Sequence, residues 1–378
     1  MKVSIADEYK DSSFALPSFN VPEFVNKMKE FIDRAKQLEK NAPKIIGSYD
    51  HLGIVGIGGS QVQPYVFKPH SKVSVTHLEV PDPYILNDFR KKEIKKTKIL
   101  YLSRSGTTKE VLSFIPFLMD YPSIVVTNRG PLRDIANQLG WTMISVSHDI
   151  SGRFAIQNEL GVMPMIAMGI DSIEFLSSLK ISYKKFFKEG SQAEQVAIAV
   201  FNLEQSGITK LRILPSGMYT QGLGILLTQL INESVPKSSK DKIDASLHVM
   251  PRGAHSDLQR WYGGEKDSFI FSLSCTDYID DDQPLDVPPE VRKLVPGSRA
   301  KAGDHLNITS KAVEDTFPGP VFKLVLEKDT VSETANVVGF LHAVTIRLCQ
   351  IKGSNPFDQP AVQQYKVKAT EIYRKLKK

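Results

Sequence analysis

The densest chemistry lies between Ser103 and Thr108, where a strand-like run, Ile99 to Leu102, delivers Ser103, Arg104, Ser105, Gly106, Thr107 and Thr108 to the start of a helical pattern. Four hydroxyls, a glycine and a guanidinium at a helix amino-terminus are phosphate donors, because free N–H groups, O–H groups and fixed charge converge there. Helix capping by Ser105 or Thr107 needs one such residue and leaves the others unexplained. A second turn, Gly56-Ile57-Gly58-Gly59-Ser60, joins another apolar run to a helix and lets backbone approach an anion closely. A dinucleotide fingerprint would place Gly where Gln61 stands, and no Walker Lys follows. On these residues alone, a purely structural tight turn stays open. Arg153, Glu233, His255 and Lys366 stand singly, and each has an ordinary reading as a solvated or structural side chain. Gln229 and Glu233, four apart, share a helical face.

These residues need a scaffold. Apolar residues at three- and four-residue intervals predict a surface helix from Val21 to about Lys40. Short apolar runs then alternate with helical stretches: Leu52 to Ile57, Val73 to Val80, Ile99 to Ser103, Ile124 to Thr127 and Met143 to Val146. That rhythm predicts a parallel sheet with crossover helices. The chain is helical from about Gly152 to Ser206, and a second α/β unit opens at Leu211 to Leu214, with a turn at Ser216 and Gly217 and a helix to Ser234. Further strands are expected at Ala245 to Val249, Phe269 to Leu273 and Val321 to Leu326, and a last helix from Ala361 to Lys378. Both units are expected to carry function at the carboxyl ends of their strands. Thr276 to Asp304, rich in Asp and Pro, reads as a surface excursion.

The whole chain of 378 residues, 41% hydrophobic and 24% charged, has the material for about two packed domains and excludes global disorder. A net charge of +6 suits a small anionic ligand and is too dilute for a nucleic-acid footprint. Cys275 and Cys349 have no partners at metal-ligand spacing and read as buried thiols. With no signal-peptide pattern in Met1 to Asn20 and no run of 18 apolar residues, the expected location is the cytoplasm, away from membranes.

In order, the segments Gly56 to Ser60, Leu102 to Glu110, Gly152-Arg153-Phe154, Gln229 to Ser234, Gly253-Ala254-His255-Ser256 and Asn355 to Pro360 running on to Lys366 resemble phosphoglucose isomerases of the short prokaryotic form. The resemblance covers most of the chain. Phe357-Asp358-Gln359-Pro360 with Lys366 seven residues after the Gln is its most specific part. It implies an α/β fold of two sugar-isomerase (SIS) subdomains, each a parallel sheet flanked by helices. The expected divisions are a helical segment 1–44, subdomains 45–150 and 207–330, a connector 151–206 and terminal helices 331–378. It also implies interconversion of glucose 6-phosphate and fructose 6-phosphate through a cis-enediol, without cofactor or metal. Gly59, Ser60, Ser103, Arg104, Ser105 and Thr108 would receive the phosphate, Gln359 would close over it, and Gln229 would line the sugar site. Glu233 would move the proton, Arg153 would face the enediolate, and His255 and Lys366 would open the ring. His255 would come from the neighbouring subunit of a homodimer. Arg104 stands where relatives commonly carry Lys, and Val235 to Met250 lacks the Gly-Lys sequence that often follows the Glu. The alternatives are an isomerase that also accepts mannose 6-phosphate and a sugar-phosphate sensor without catalysis; an NAD-linked oxidoreductase is opposed by the glycine spacing.

Overall fold

The computed structural model describes residues 1–4, 15–279, 281 and 288–376. The Asp-rich stretch therefore lies partly outside the described residues. The strands in chain order are β1 Lys2–Ser4, β2 His51–Val55, β3 Ser74–Leu78, β4 Thr97–Leu102, β5 Ser123–Val126, β6 Thr142–Ile144, β7 Lys210–Pro215, β8 Asp244–Leu247, β9 Ser268–Asp277 and β10 Val321–Lys328. Four helices that begin just after strands carry or directly follow several of the candidate residues: α1 Gly59–Phe67, α2 Lys109–Ser113, α3 Gly217–Ser234 and α4 Arg252–Gly263. Two compact units result, an amino-side unit of Asn20–Ile181 with Asn355–Lys378 and a carboxyl-side unit of Met1–Phe19 with Ser182–Ser354.

In the amino-side unit all strands are parallel, in the order β3-β2-β4-β5-β6. Leu52 to Val55 and Ile99 to Leu102 are buried on both faces, so these strands read as continuous apolar runs and not as an alternation. Val55, Phe89, Tyr101, Phe114, Val125 and Leu132 pack into one core on this sheet. The chain leaves β2 for β3 on one side and then crosses to β4 on the other. A crevice opens at such a reversal, outside the carboxyl ends of β2 and β4.

The carboxyl-side unit repeats that winding. Its order is β1-β10-β9-β7-β8, so the reversal falls between β7 and β9. β1 adds an antiparallel edge strand beside β10. Its three residues hold one apolar side chain, too little for a sequence pattern to register. Helix Val331–Ile351 is long and apolar enough to cross a membrane, yet 83% of its apolar window is buried inside the protein. It packs against helix Gln192–Gln205 and α3 as the core of this unit.

Candidate active site

Both glycine- and hydroxyl-bearing loops fall at the reversal of the amino-side sheet. After β4 the chain turns through Ser103–Thr108 into α2, with Thr108 at its N-cap. Thr108 makes no side-chain cap bond, which leaves the first N–H groups of the helix available to an anion. Ser103, 2% exposed, shares a 3.0 Å hydrogen bond between its Oγ and Thr108 Oγ1, and also accepts the Gly106 N–H at 3.1 Å. Ser105 Oγ accepts the N–H and hydroxyl of Thr107 at 3.3 and 3.0 Å. The turn closes because Gly106 has φ +63°; a Cβ there would sit 1.7 Å from the Arg129 carbonyl oxygen.

Arg104 points elsewhere. Its Nη1 lies 3.2 Å from Asp149 Oδ1 and donates to the Ile150 carbonyl at 3.1 Å, so it ties the hydroxyl loop to the segment leading into Arg153. Asp149 was not legible as a site residue, being 45 positions from its partner with nothing in its local pattern to mark it.

After β2, Gly58 takes φ 56° as the N-cap of α1, which carries half-buried Ser60. A Cβ on Gly59 would lie 2.5 Å from the backbone of Gly152 and Arg153, so only glycine lets the helix start meet that turn. Gln63, fully buried on α1, donates Nε2 to the Gly152 carbonyl at 2.5 Å. Gln61, where a dinucleotide loop would need glycine, is also fully buried, donating to the Ile54 carbonyl and to His77 Nδ1 at 3.2 and 3.1 Å. Arg153, 1% exposed, donates Nη2 to the carbonyls of Pro356 and Asp358 at 2.6 and 2.9 Å. The guanidinium thereby holds the segment that carries Gln359, which is half-buried. Phe154 and Phe357, with ring centroids 5.3 Å apart, pack the same segment down. Lys366 is exposed on helix Gln363–Lys375, none of whose residues is buried.

The other candidates belong to the carboxyl-side unit. Glu233 is next to last in α3 and accepts Gln229 Nε2 on Oε1 at 2.6 Å. The i, i+4 pairing expected on that face is present. Its place in the unit differs from expectation, because α3 starts at the carboxyl end of β7 and runs back to the opposite edge. There Asn232 exchanges two hydrogen bonds with Ala245 at the start of β8, at 2.8 and 3.0 Å. His255 is exposed on α4, which follows the carboxyl end of β8. At this unit's own reversal a Cβ on Gly217 would meet Leu306 at 2.6 Å, and fully buried Ser216 hydrogen-bonds Ser310.

No family model matches the chain. It is similar to the glucose-6-phosphate isomerase of Alkaliphilus metalliredigens (strain QYMF), with 25% identity over 377 residues that cover 88% of this chain and 82% of the relative. Among solved structures, a hypothetical protein from Thermus thermophilus has a TM-score of 0.81 at 19% identity, covering 93% of this chain and 91% of that one. A glucose-6-phosphate isomerase from Chlamydia trachomatis D/UW-3/Cx has a TM-score of 0.74 at 18% identity, covering 96% and 77%.

Proposed function

We propose that this chain is a glucose-6-phosphate isomerase of the short prokaryotic type, interconverting glucose 6-phosphate and fructose 6-phosphate through a cis-enediol. The observation that carries the reading is the hydroxyl loop Ser103–Thr108, which with Gly58-Gly59-Ser60 sits at the reversal of one sheet, in a chain similar over most of its length to a curated glucose-6-phosphate isomerase.

The phosphate is received by Ser60, Ser103, Ser105 and Thr108 with the α2 N–H groups, and Gly59 keeps the backbone close. Moving a hydrogen between carbon 2 and carbon 1 needs one base able to reach both. Glu233 is that base, held by Gln229. Arg153 serves the enediolate as fixed positive charge and, through the carbonyls of Pro356 and Asp358, sets the segment bearing Gln359. His255 and Lys366 handle the ring hydroxyl and ring oxygen. Aldose and ketose are isomers and only protons pass through Glu233, with no net transfer of electrons, so the reaction calls for no redox cofactor. Arg104 supports the loop through Asp149 and Ile150.

The protein acts in the cytoplasm as a homodimer with His255 supplied across the subunit boundary. Two features support that assembly: His255 is exposed, and the terminal helix leaves Tyr365 and Leu376 66% and 76% exposed.

A coupled assay with fructose 6-phosphate, run beside mannose 6-phosphate, tests the activity. Glu233→Gln should keep binding 6-phosphogluconate while turnover falls by about 10² to 10⁴. Near-parental turnover in that variant would remove Glu233 from its role.

A further inference from the structure

The backbone that follows Glu233 is pinned by a buried cation. Lys352, just past the end of helix Val331–Ile351, has a side chain only 6% exposed. Its ammonium lies 2.9 Å from Asp241 Oδ1 and also pairs with Glu204, whose side chain is 2% exposed. Both carboxylates use their other oxygen on the segment that leaves α3. Asp241 Oδ2 accepts the N–H groups of Lys237 and Ser238 at 2.9 and 2.8 Å, and Glu204 Oε1 accepts that of Lys242 at 2.6 Å. Lys237 then donates Nζ to the Glu233 carbonyl at 3.0 Å. Cys349, on the same helix as the approach to Lys352, donates Sγ–H to the Ser234 carbonyl at 3.4 Å.

Burying an ammonium demands carboxylate partners, and a buried ionic cluster seldom exceeds well-packed apolar side chains in stability. What such a cluster supplies is direction: each oxygen and each N–H has one assigned partner. Here the assigned partners lie four, five and nine residues after the base. We infer that Lys352, with Asp241 and Glu204, is a positioning device that fixes the last turn of α3 and so the aim of Glu233; this rests on Glu233 being the base, as proposed above. Burial raises the Asp241 pKa, but the Lys237, Lys352 and Ser238 hydrogen bonds outweigh it and bring the group down to about 2, so the pair stays ionised across the working range.

The test uses the full chain and the coupled assay. Asp241→Asn and Lys352→Met should lower kcat about tenfold or more with KM within twofold of the parent, and Lys352→Arg should recover most of the loss. Amide exchange at Lys237, Ser238 and Lys242 should quicken in step with the fall in kcat. If Lys352→Met does not fold, Asp241→Asn, which keeps the Lys352–Glu204 pair, decides the matter. Parental kcat in folded Asp241→Asn, or a loss carried by KM alone, overturns the inference. Glu233→Gln assayed alongside separates the two failures: retained turnover there removes the base, whereas an inactive Glu233→Gln beside a fully active Asp241→Asn removes only the positioning.

Discussion

The proposed phosphate loop needs donors that face one point, and the turn of Ser103–Thr108 depends on a single backbone angle. Gly106 sits at φ +63° with the Arg129 carbonyl where a Cβ would be. The obstacle is main chain, which cannot rotate aside as a side chain could. Gly106→Ala should therefore cost about 2 to 4 kcal/mol, combining left-handed strain with the clash, and weaken 6-phosphogluconate at least tenfold by splaying the Ser103 and Thr108 hydroxyls. Calorimetry and thermal melts would show both effects together. Parental affinity with a lowered melting temperature would mean that the loop rebuilds itself around the methyl group. Such residues were legible in the sequence, because hydroxyls, glycine and a basic residue cluster within six positions. Their supports were not. Asp149 holds Arg104 from 45 positions away, and nothing in its local pattern distinguishes it from surface charge; the same is true of Asp241 and Lys352, which hold the segment after Glu233.

Elements were legible where one physical rule dominated. The runs that became β2, β4 and β5 are apolar because both faces of a parallel strand are covered, and their alternation with helices gave the fold class. Helix Val331–Ile351 is buried all round and shows no amphipathic stripe. α3 was legible as a helix, but the edge of the sheet at which it delivers Glu233 follows only from its length and direction. α1 illustrates how polar side chains inside an element act. Its Gln61 donates to His77 Nδ1, and Tyr65 stacks on the His77 ring at 3.8 Å between centroids. Burial, aided by Lys68, pushes the His77 pKa down to about 3 from an ordinary value of 6.5. The unfolded chain takes up that proton below pH 6.5 while the folded chain refuses it until about pH 3. The stability contributed by neutral His77 is thus complete above pH 6.5 and is lost as pH falls from there toward 3. Urea melts of the parent should lose up to about 2 kcal/mol more than His77→Gln between about pH 7.5 and pH 5. Parallel losses in the two proteins would show that His77 takes up its proton without unfolding.

At the scale of the whole molecule, both units share one winding but differ in use. The amino-side unit gathers hydroxyls and glycines at its reversal, whereas at the carboxyl-side reversal Gly217 meets Leu306 and Ser216 bonds Ser310. The proposed phosphate site uses the amino-side loop alone, and the net charge of +6 suits a small anion while being too dilute for a nucleic-acid surface. The assembly proposal adds a strict requirement, since His255 of one subunit must complete the site that holds Glu233 of another. His255→Ala and Glu233→Gln should each be nearly inactive alone. A mixed dimer of the two has one site lacking both groups and one site with both intact. After random subunit exchange at equal concentrations about half the dimers are mixed, so activity should return to roughly a quarter of the parental value if the sites are independent. Native mass spectrometry would count the mixed species, and activity should rise with their fraction. Mixed dimers without activity would place His255 and Glu233 in the same site of the same chain, and an absence of any dimer in the parent would remove the shared site altogether.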